Sequence, residues 1–266
     1  MLTFGFSGVR SLESILAGHP SLACTSGTGV LPLCAQAAAT WKQVEQSPAA
    51  MSALAASSVR ALAGSMITSI LAATGGNRWC EIVMAPAGAA ETFARLFPQA
   101  RFVCFYRACP PMISAATQVS RWGLASTGLG DFASKYPGNN VAAVVAYWCA
   151  STTALLDFEA AQPGRSLRVR QEDLAASPAA TTSSILAFLS LTGYHADLPE
   201  PPAQSQDAPG SAGPSGAAAE PQIPLELLPA TMLDRINGLH ARLGYPALAR
   251  EPQPTELADH AAGRTG

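Results

Sequence analysis

The sequence predicts an α/β fold with a mainly parallel central sheet flanked by helices. Three observations lead there. Short strand segments stand at Trp79–Met84, Arg101–Arg107 and Ser166–Arg170, segments with helical spacing separate them, and the two kinds alternate along the chain. Such alternation favours parallel strands joined by crossover helices.

Leu2 to Gly5 supplies a very short first strand. SGVRS then leads into a helix marked by Leu12, Ile15 and Leu16 and closed by Gly18-His19-Pro20. Ser47 as cap and Pro48 in the first turn open a long helix that runs to Gly75-Gly76. Ala89 to Phe97 is a helix between the strands Trp79–Met84 and Arg101–Arg107. Pro110-Pro111 restarts a helix, and a Gly-containing loop covers Gly123 to Asn139. Asn140 caps an apolar helix from Val141 to Ala161, halted by Pro163-Gly164. After the strand Ser166–Arg170, Glu172-Asp173 forms a turn, and Ser177-Pro178 opens a helix that ends at Gly193.

These elements form one α/β domain over residues 1–198. Residues 199–224 are too rich in Pro, Gly, Ser and Ala to pack a core and read as a disordered linker. In residues 225–249, Leu228, Met232, Ile236, Leu239 and Leu243 recur at helical spacing, so this helix is expected to pack back on the domain. Residues 250–266 read as a flexible tail.

Composition narrows the function. A formal net charge of −2 with 13% charged residues lacks the basic excess that grips many backbone phosphates, so nucleic acid is not an expected partner. The start of the chain carries no basic segment followed by a long apolar one. The most apolar window, Val141 to Leu156, is shorter than the ~20 residues that span a bilayer, so no membrane association is expected. Cys24, Cys34, Cys80, Cys104, Cys109 and Cys149 show no metal-ligand spacing and read as reduced thiols. The expectation is a cytoplasmic protein with no metal. Ala-rich, Lys-poor usage matches a GC-rich, bacterial source.

An anion site at a helix start needs converging backbone N–H groups, small residues and a nearby cation. Ser7-Gly8-Val9-Arg10-Ser11 offers all three, although it is not the GxxxxGK pattern and has no lysine. Arg107 ends an apolar strand before a proline-opened helix, at the carboxyl edge where parallel sheets bind ligands.

From Phe4 to about Leu191 the chain resembles the sulfotransferases that use 3′-phosphoadenosine 5′-phosphosulfate (PAPS), with a further echo in IPLELLP and LGYPAL. LFPQARFVCFYR (Leu96 to Arg107) is similar to the family's segment leading into the 3′-phosphate site. VRQEDLAASPAATTSSILAFLSL (Val169 to Leu191) looks like its VRYEDL, SP and FLGL series. His19-Pro20, RWCE at Arg78 to Glu81, SRWG at Ser120 to Gly123 and Tyr147-Trp148 follow in order. The resemblance implies a P-loop-NTPase-like architecture. It also implies PAPS as sulfuryl donor, with Ser7, Gly8, Val9, Arg10 and Ser11 at the 5′-phosphosulfate and Arg107 with Ser114 at the 3′-phosphate.

The family's loop reads Lys/Arg-Ser-Gly-Thr-Thr. In one register Ser7-Gly8 fall on its Ser-Gly, Val9 and Arg10 on its threonines, and Phe6 on the catalytic cation. A second register sets Arg10-Ser11 on the family's Arg-Ser and Ser14 on a loop hydroxyl, shortening the next helix by about one turn. Arg10 is the nearby cation in both, which makes it the catalytic candidate. Ile82 stands where the family has lysine after its acidic residue. Pro111 and Ala115 replace the Asp and Ser that follow the 3′-phosphate arginine, leaving Ser114 one position early.

Sulfuryl transfer, like phosphoryl transfer, needs in-line positioning and neutralised oxygens. The implied activity is transfer to a hydroxyl of a small-molecule acceptor in bacterial natural-product metabolism. The alternative is a catalytically degenerate member of the fold acting as a binding partner, suggested by Phe6, Ile82, Pro111 and Ala115. A nucleotide kinase is disfavoured by the missing P-loop lysine. No general base stands out: His19 reads as a helix-end residue, His195, His240 and His260 lie in later segments, and Glu13 and Glu81 have no evident neighbours. Trp122, Met112 and Phe132 read equally well as an acceptor pocket or as core.

Overall fold

A computed structural model describes residues 1–41, 49–84, 87–117, 129–191, 225 and 228–249. Its elements are β1 (Leu2–Thr3), α1 (Arg10–Ala17), β2 (Leu22–Ser26), α2 (Val30–Trp41), α3 (Ala49–Thr74), β3 (Arg78–Met84), α4 (Ala87–Leu96) and β4 (Phe102–Tyr106). There follow α5 (Cys109–Thr117), α6 (Gly130–Lys135), α7 (Asn140–Ala161), β5 (Ser166–Arg170), α8 (Gln171–Ala176), α9 (Pro178–Phe188) and α10 (Ala230–Leu243). The five described strands form one sheet in the order β2-β3-β1-β4-β5, every pair parallel. This is the predicted α/β class.

Period-two alternation divides β4 between two cores. Phe102, Cys104 and Tyr106 face a large cluster with Val59 of α3, Phe93 of α4, Met112 of α5, Trp148 of α7 and Ile236 of α10. Val103 and Phe105 face a smaller one with Leu12 and Leu16 of α1, Leu174 of α8 and Ile185 of α9. Strand β1 is flanked by β3 and β4, with Leu2 opposite both Val83 and Cys104. The chain lays β2 and β3 on one side of β1 and β4 and β5 on the other, so the loops after β1 and β4 bracket a topological switch point.

Several expectations are corrected. Strand β2 and helix α2 were not expected. β2 is five residues that turn polar toward their end, and Pro32 lies in the first turn of α2, where its missing N–H leaves no hydrogen bond unmade. The expected Gly123–Asn139 loop contains α6. Asn139, not Asn140, caps α7, its carboxamide oxygen accepting from the Ala142 N–H at 2.9 Å. The expected turn at Glu172-Asp173 is the helix α8, α9 stops at Phe188, and the last helix starts at Ala230 instead of Leu225. Ser47, Pro48 and residues 199–224 and 250–266 lie outside the described residues.

The apolar helix α7 ends at Ala161, as its sequence predicts, and within it the Thr153 hydroxyl donates to the Cys149 carbonyl (2.7 Å). Two described helices are long and apolar enough to cross a membrane by length and composition: Asn140–Ala161, with 61% of its most apolar window buried inside the protein, and Ser52–Thr74, with 11%.

Candidate functional site

The loop after β1 is anchored from beneath. Its Gly5 N–H donates to the Tyr147 hydroxyl at 2.9 Å. The Thr3 hydroxyl donates to Ser7 Oγ at 2.7 Å and also lies 3.3 Å from the Phe105 carbonyl. Ser7 is buried, its hydroxyl oxygen accepting from Thr3 of the sheet. Phe6 holds φ at 62°, unusual for a bulky residue, while its ring packs against the large cluster. Gly8, at φ 77°, approaches Gln171 so closely that a Cβ there would sit 3.1 Å from Gln171 Cδ.

Helix α1 begins at Arg10, and Val9 at its cap position provides no side-chain hydrogen bond to the first turn. Its N-terminal N–H groups and dipole are thus presented where the loop ends, an arrangement suited to an anion. Arg10 is exposed on that turn; Val9 and Ser11 are half-buried. Close by, the buried Gln171 Oε1 has no hydrogen-bond partner among the described residues.

Arg107 follows β4 and reaches the same loop. Its Nη1 donates to the Phe6 carbonyl at 2.8 Å, and its Nε is buried without a hydrogen-bond partner among the described residues. The fork thus bridges the two sides of the switch point. Burial pushes the Arg107 pKa down, opposed chiefly by the Glu172 carboxylate. The Trp148 indole N–H fixes the Arg107 carbonyl at 2.9 Å. Ser114 sits half-buried on α5, which starts two residues after Arg107.

The C-terminal segment completes this wall. Glu172 accepts from the Ala108 N–H (2.9 Å) and from the Tyr245 hydroxyl (2.7 Å). Arg170 pairs with Asp173 and donates to the Gly244 carbonyl at 3.0 Å, while its guanidinium lies 5.4 Å from the centre of the Tyr245 ring. His240 is buried edge-on to Trp148, with Nε2 3.4 Å from the Cys109 N–H and Nδ1 2.7 Å from the Pro246 carbonyl. Sequence reasoning gave no place in this wall to Gln171, Glu172, Tyr245 or His240, because each meets its partner only through the tertiary fold. The one local hint was Glu172 standing two residues after a strand.

A second polar cluster lies on the β2–β3 side of the sheet. Glu81 is buried on β3, and its Oε1 accepts from the Thr28 N–H (2.8 Å) and hydroxyl (2.7 Å). Its Oε2 has no hydrogen-bond partner among the described residues. Thr28 also borders an open cavity of about 530 Å³ lined by Leu62, Ser65, Met66, Ser69 and Ile70. Met112 is fully buried core, and Phe132 stacks edge-on against Tyr147 at 5.6 Å; Trp122 lies outside the described residues. His19 is buried at the end of α1, where Nδ1 accepts from the Ser21 N–H. No group of three His, Cys, Asp or Glu side chains suited to a metal ion occurs among the described residues.

Comparison with known proteins adds two findings. The sequence profile described as "Sulfotransferase family" matches residues 7–196. A solved structure, the "Sulfotransferase Domain from the Curacin Biosynthetic Pathway", superposes with a TM-score of 0.59 at 18% identity, covering 93% of this chain and 97% of that one. No curated protein sequence matches the chain significantly.

Proposed function

Because the chain belongs to the sulfotransferase family, we propose that it transfers a sulfuryl group from PAPS to a hydroxyl of a small-molecule acceptor. The observation that carries this reading is the Arg107–Phe6 hydrogen bond, which joins the two segments expected to hold opposite ends of one doubly phosphorylated nucleotide. The residues present suit such a donor: a first turn on α1 that Val9 does not cap, a glycine allowing close approach, and a buried guanidinium whose Nε has no hydrogen-bond partner among the described residues.

In this reading the backbone of Ser7, Gly8, Val9 and Ser11 holds the 5′-phosphosulfate, and Arg10 neutralises charge on the transferring group. Arg107 and Ser114 hold the 3′-phosphate. PAPS supplies an activated sulfuryl group; the protein supplies orientation and fixed positive charge, and no metal takes part. In this reading the acceptor belongs to bacterial natural-product metabolism and is met in the cytoplasm; the sulfotransferase domain that shares the fold comes from a biosynthetic pathway.

One observation favours a second reading, a catalytically degenerate binding protein. In the register without a deletion Phe6 stands where the family has its cation, and its ring is spent on the core. Thermal unfolding with 3′-phosphoadenosine 5′-phosphate tests the shared site: ligand at 100 times Kd stabilises by ~2.7 kcal/mol. Both readings predict a shift that Arg107→Ala abolishes; no shift at millimolar ligand refutes both. Labelled-sulfate transfer to a panel of alcohols then separates enzyme from binder.

A further inference from the structure

Two of the six cysteines are neighbours although the sequence places no short motif around them. Cys24 on the edge strand β2 stands directly opposite Cys80 on β3 in the parallel ladder. Both side chains lie on the α1 face of the sheet, against the smaller core. Adjacent strands run ~4.8 Å apart, and disulfides join Cα atoms ~4.4–6.8 Å apart. Facing one another across this register on one face of the sheet, the two side chains can be bridged without a shift of backbone register.

The other four differ in burial. Cys34, Cys104, Cys109 and Cys149 are buried, whereas Cys24 and Cys80 are half-buried. Burial pushes Cys34 and Cys149 up to about 11 and Cys104 up to about 12. Donation from the Cys24 S–H instead lowers Cys80 to about 6, and the same bond raises Cys24. A thiolate beside a resolving thiol is the arrangement of a reactive dithiol.

We propose that Cys24 and Cys80 form a redox-active dithiol, which a small-molecule disulfide such as oxidised glutathione converts to a cross-strand disulfide. The Cys80 thiolate attacks one sulfur of the oxidant, forming a mixed disulfide and releasing the first small thiolate. The Cys24 sulfur then attacks the Cys80 sulfur, the second small thiolate leaves, and the Cys24 proton passes to it. Two protein thiols are oxidised and one small disulfide is reduced to two thiols. The step uses no residue of the donor site and stands whether or not PAPS is the substrate.

The test treats the full chain with oxidised glutathione near neutral pH, blocks remaining thiols with N-ethylmaleimide, and maps peptides without reduction. The expected product is one linked pair containing Cys24 and Cys80 that dithiothreitol releases, with the other four cysteines alkylated after unfolding. Cys24→Ser should stop the reaction at a glutathione adduct on Cys80, and Cys80→Ser should abolish the linked pair. Recovery of both residues alkylated, as separate glutathione adducts, or linked to a different cysteine would overturn the proposal.

Discussion

Removing the Glu172 carboxylate should loosen the C-terminal segment from the sheet by an amount set by two hydrogen bonds. Its oxygens accept from Ala108 at 2.9 Å and Tyr245 at 2.7 Å, and hydrogen bonds to a charged partner contribute ~1.5–3 kcal/mol each. Tyr245→Phe deletes one of them and is expected to destabilise by ~1.5–3 kcal/mol. Glu172→Ala deletes both and leaves the Ala108 N–H and Tyr245 hydroxyl without acceptors, so ~3–5 kcal/mol is expected. In the double variant no hydroxyl is left stranded and the shared bond is lost only once, so its cost should fall short of the two single costs combined by ~1.5–3 kcal/mol. Urea unfolding followed by circular dichroism reads all four corners of this cycle, with midpoint losses of ~1 M for the larger effect. Additivity within ~0.5 kcal/mol would mean the two side chains do not share a bond, and would refute the claim that Tyr245 anchors through Glu172.

Two further outcomes follow from the same wall. Gly8→Ala places a Cβ against Gln171 at a positive φ and should cost at least ~1–2 kcal/mol in thermal unfolding. Gly64→Ala, within α3 and with open space around it, should be neutral or stabilising by ~0.5–1 kcal/mol, and equal losses at both would contradict the geometry. His240 has its pKa lowered by burial and stays neutral in the fold. Below the ordinary value of ~6.5 the unfolded chain binds the extra proton, so stability should fall as pH drops from ~6.5 toward the depressed folded value. Urea midpoints across pH 7.5 to 5 check this, and a His240→Gln variant with the same slope would remove His240 as its cause.

Strands β3 and β4 were legible as mostly apolar runs of strand length, and β5 as SLRVR, a polar–apolar alternation after Pro163-Gly164. The long helix α7 was legible from its composition and terminal Pro163-Gly164. β2 escaped notice because LACTS carries weak strand propensity on an edge, and α6 is too short to show periodicity. At the candidate site, the position of Arg107 at the end of β4 could be read from the run before it. The sequence could not show that Phe6 adopts a positive φ or that the Ser7 hydroxyl accepts from Thr3. Nor could it reveal the link from Tyr245 through Glu172 to Ala108, since these depend on which strands lie side by side.

The guanidinium of Arg107 works as a yoke between two loops that are 101 residues apart in the chain. One prong is occupied by the carbonyl of Phe6, so a phosphate bound as we propose would meet only what remains of the fork. An ammonium in its place would be a single point of charge, obliged to serve either the backbone or the guest. Lysine at this position would keep the charge and still uncouple the two halves of the crevice.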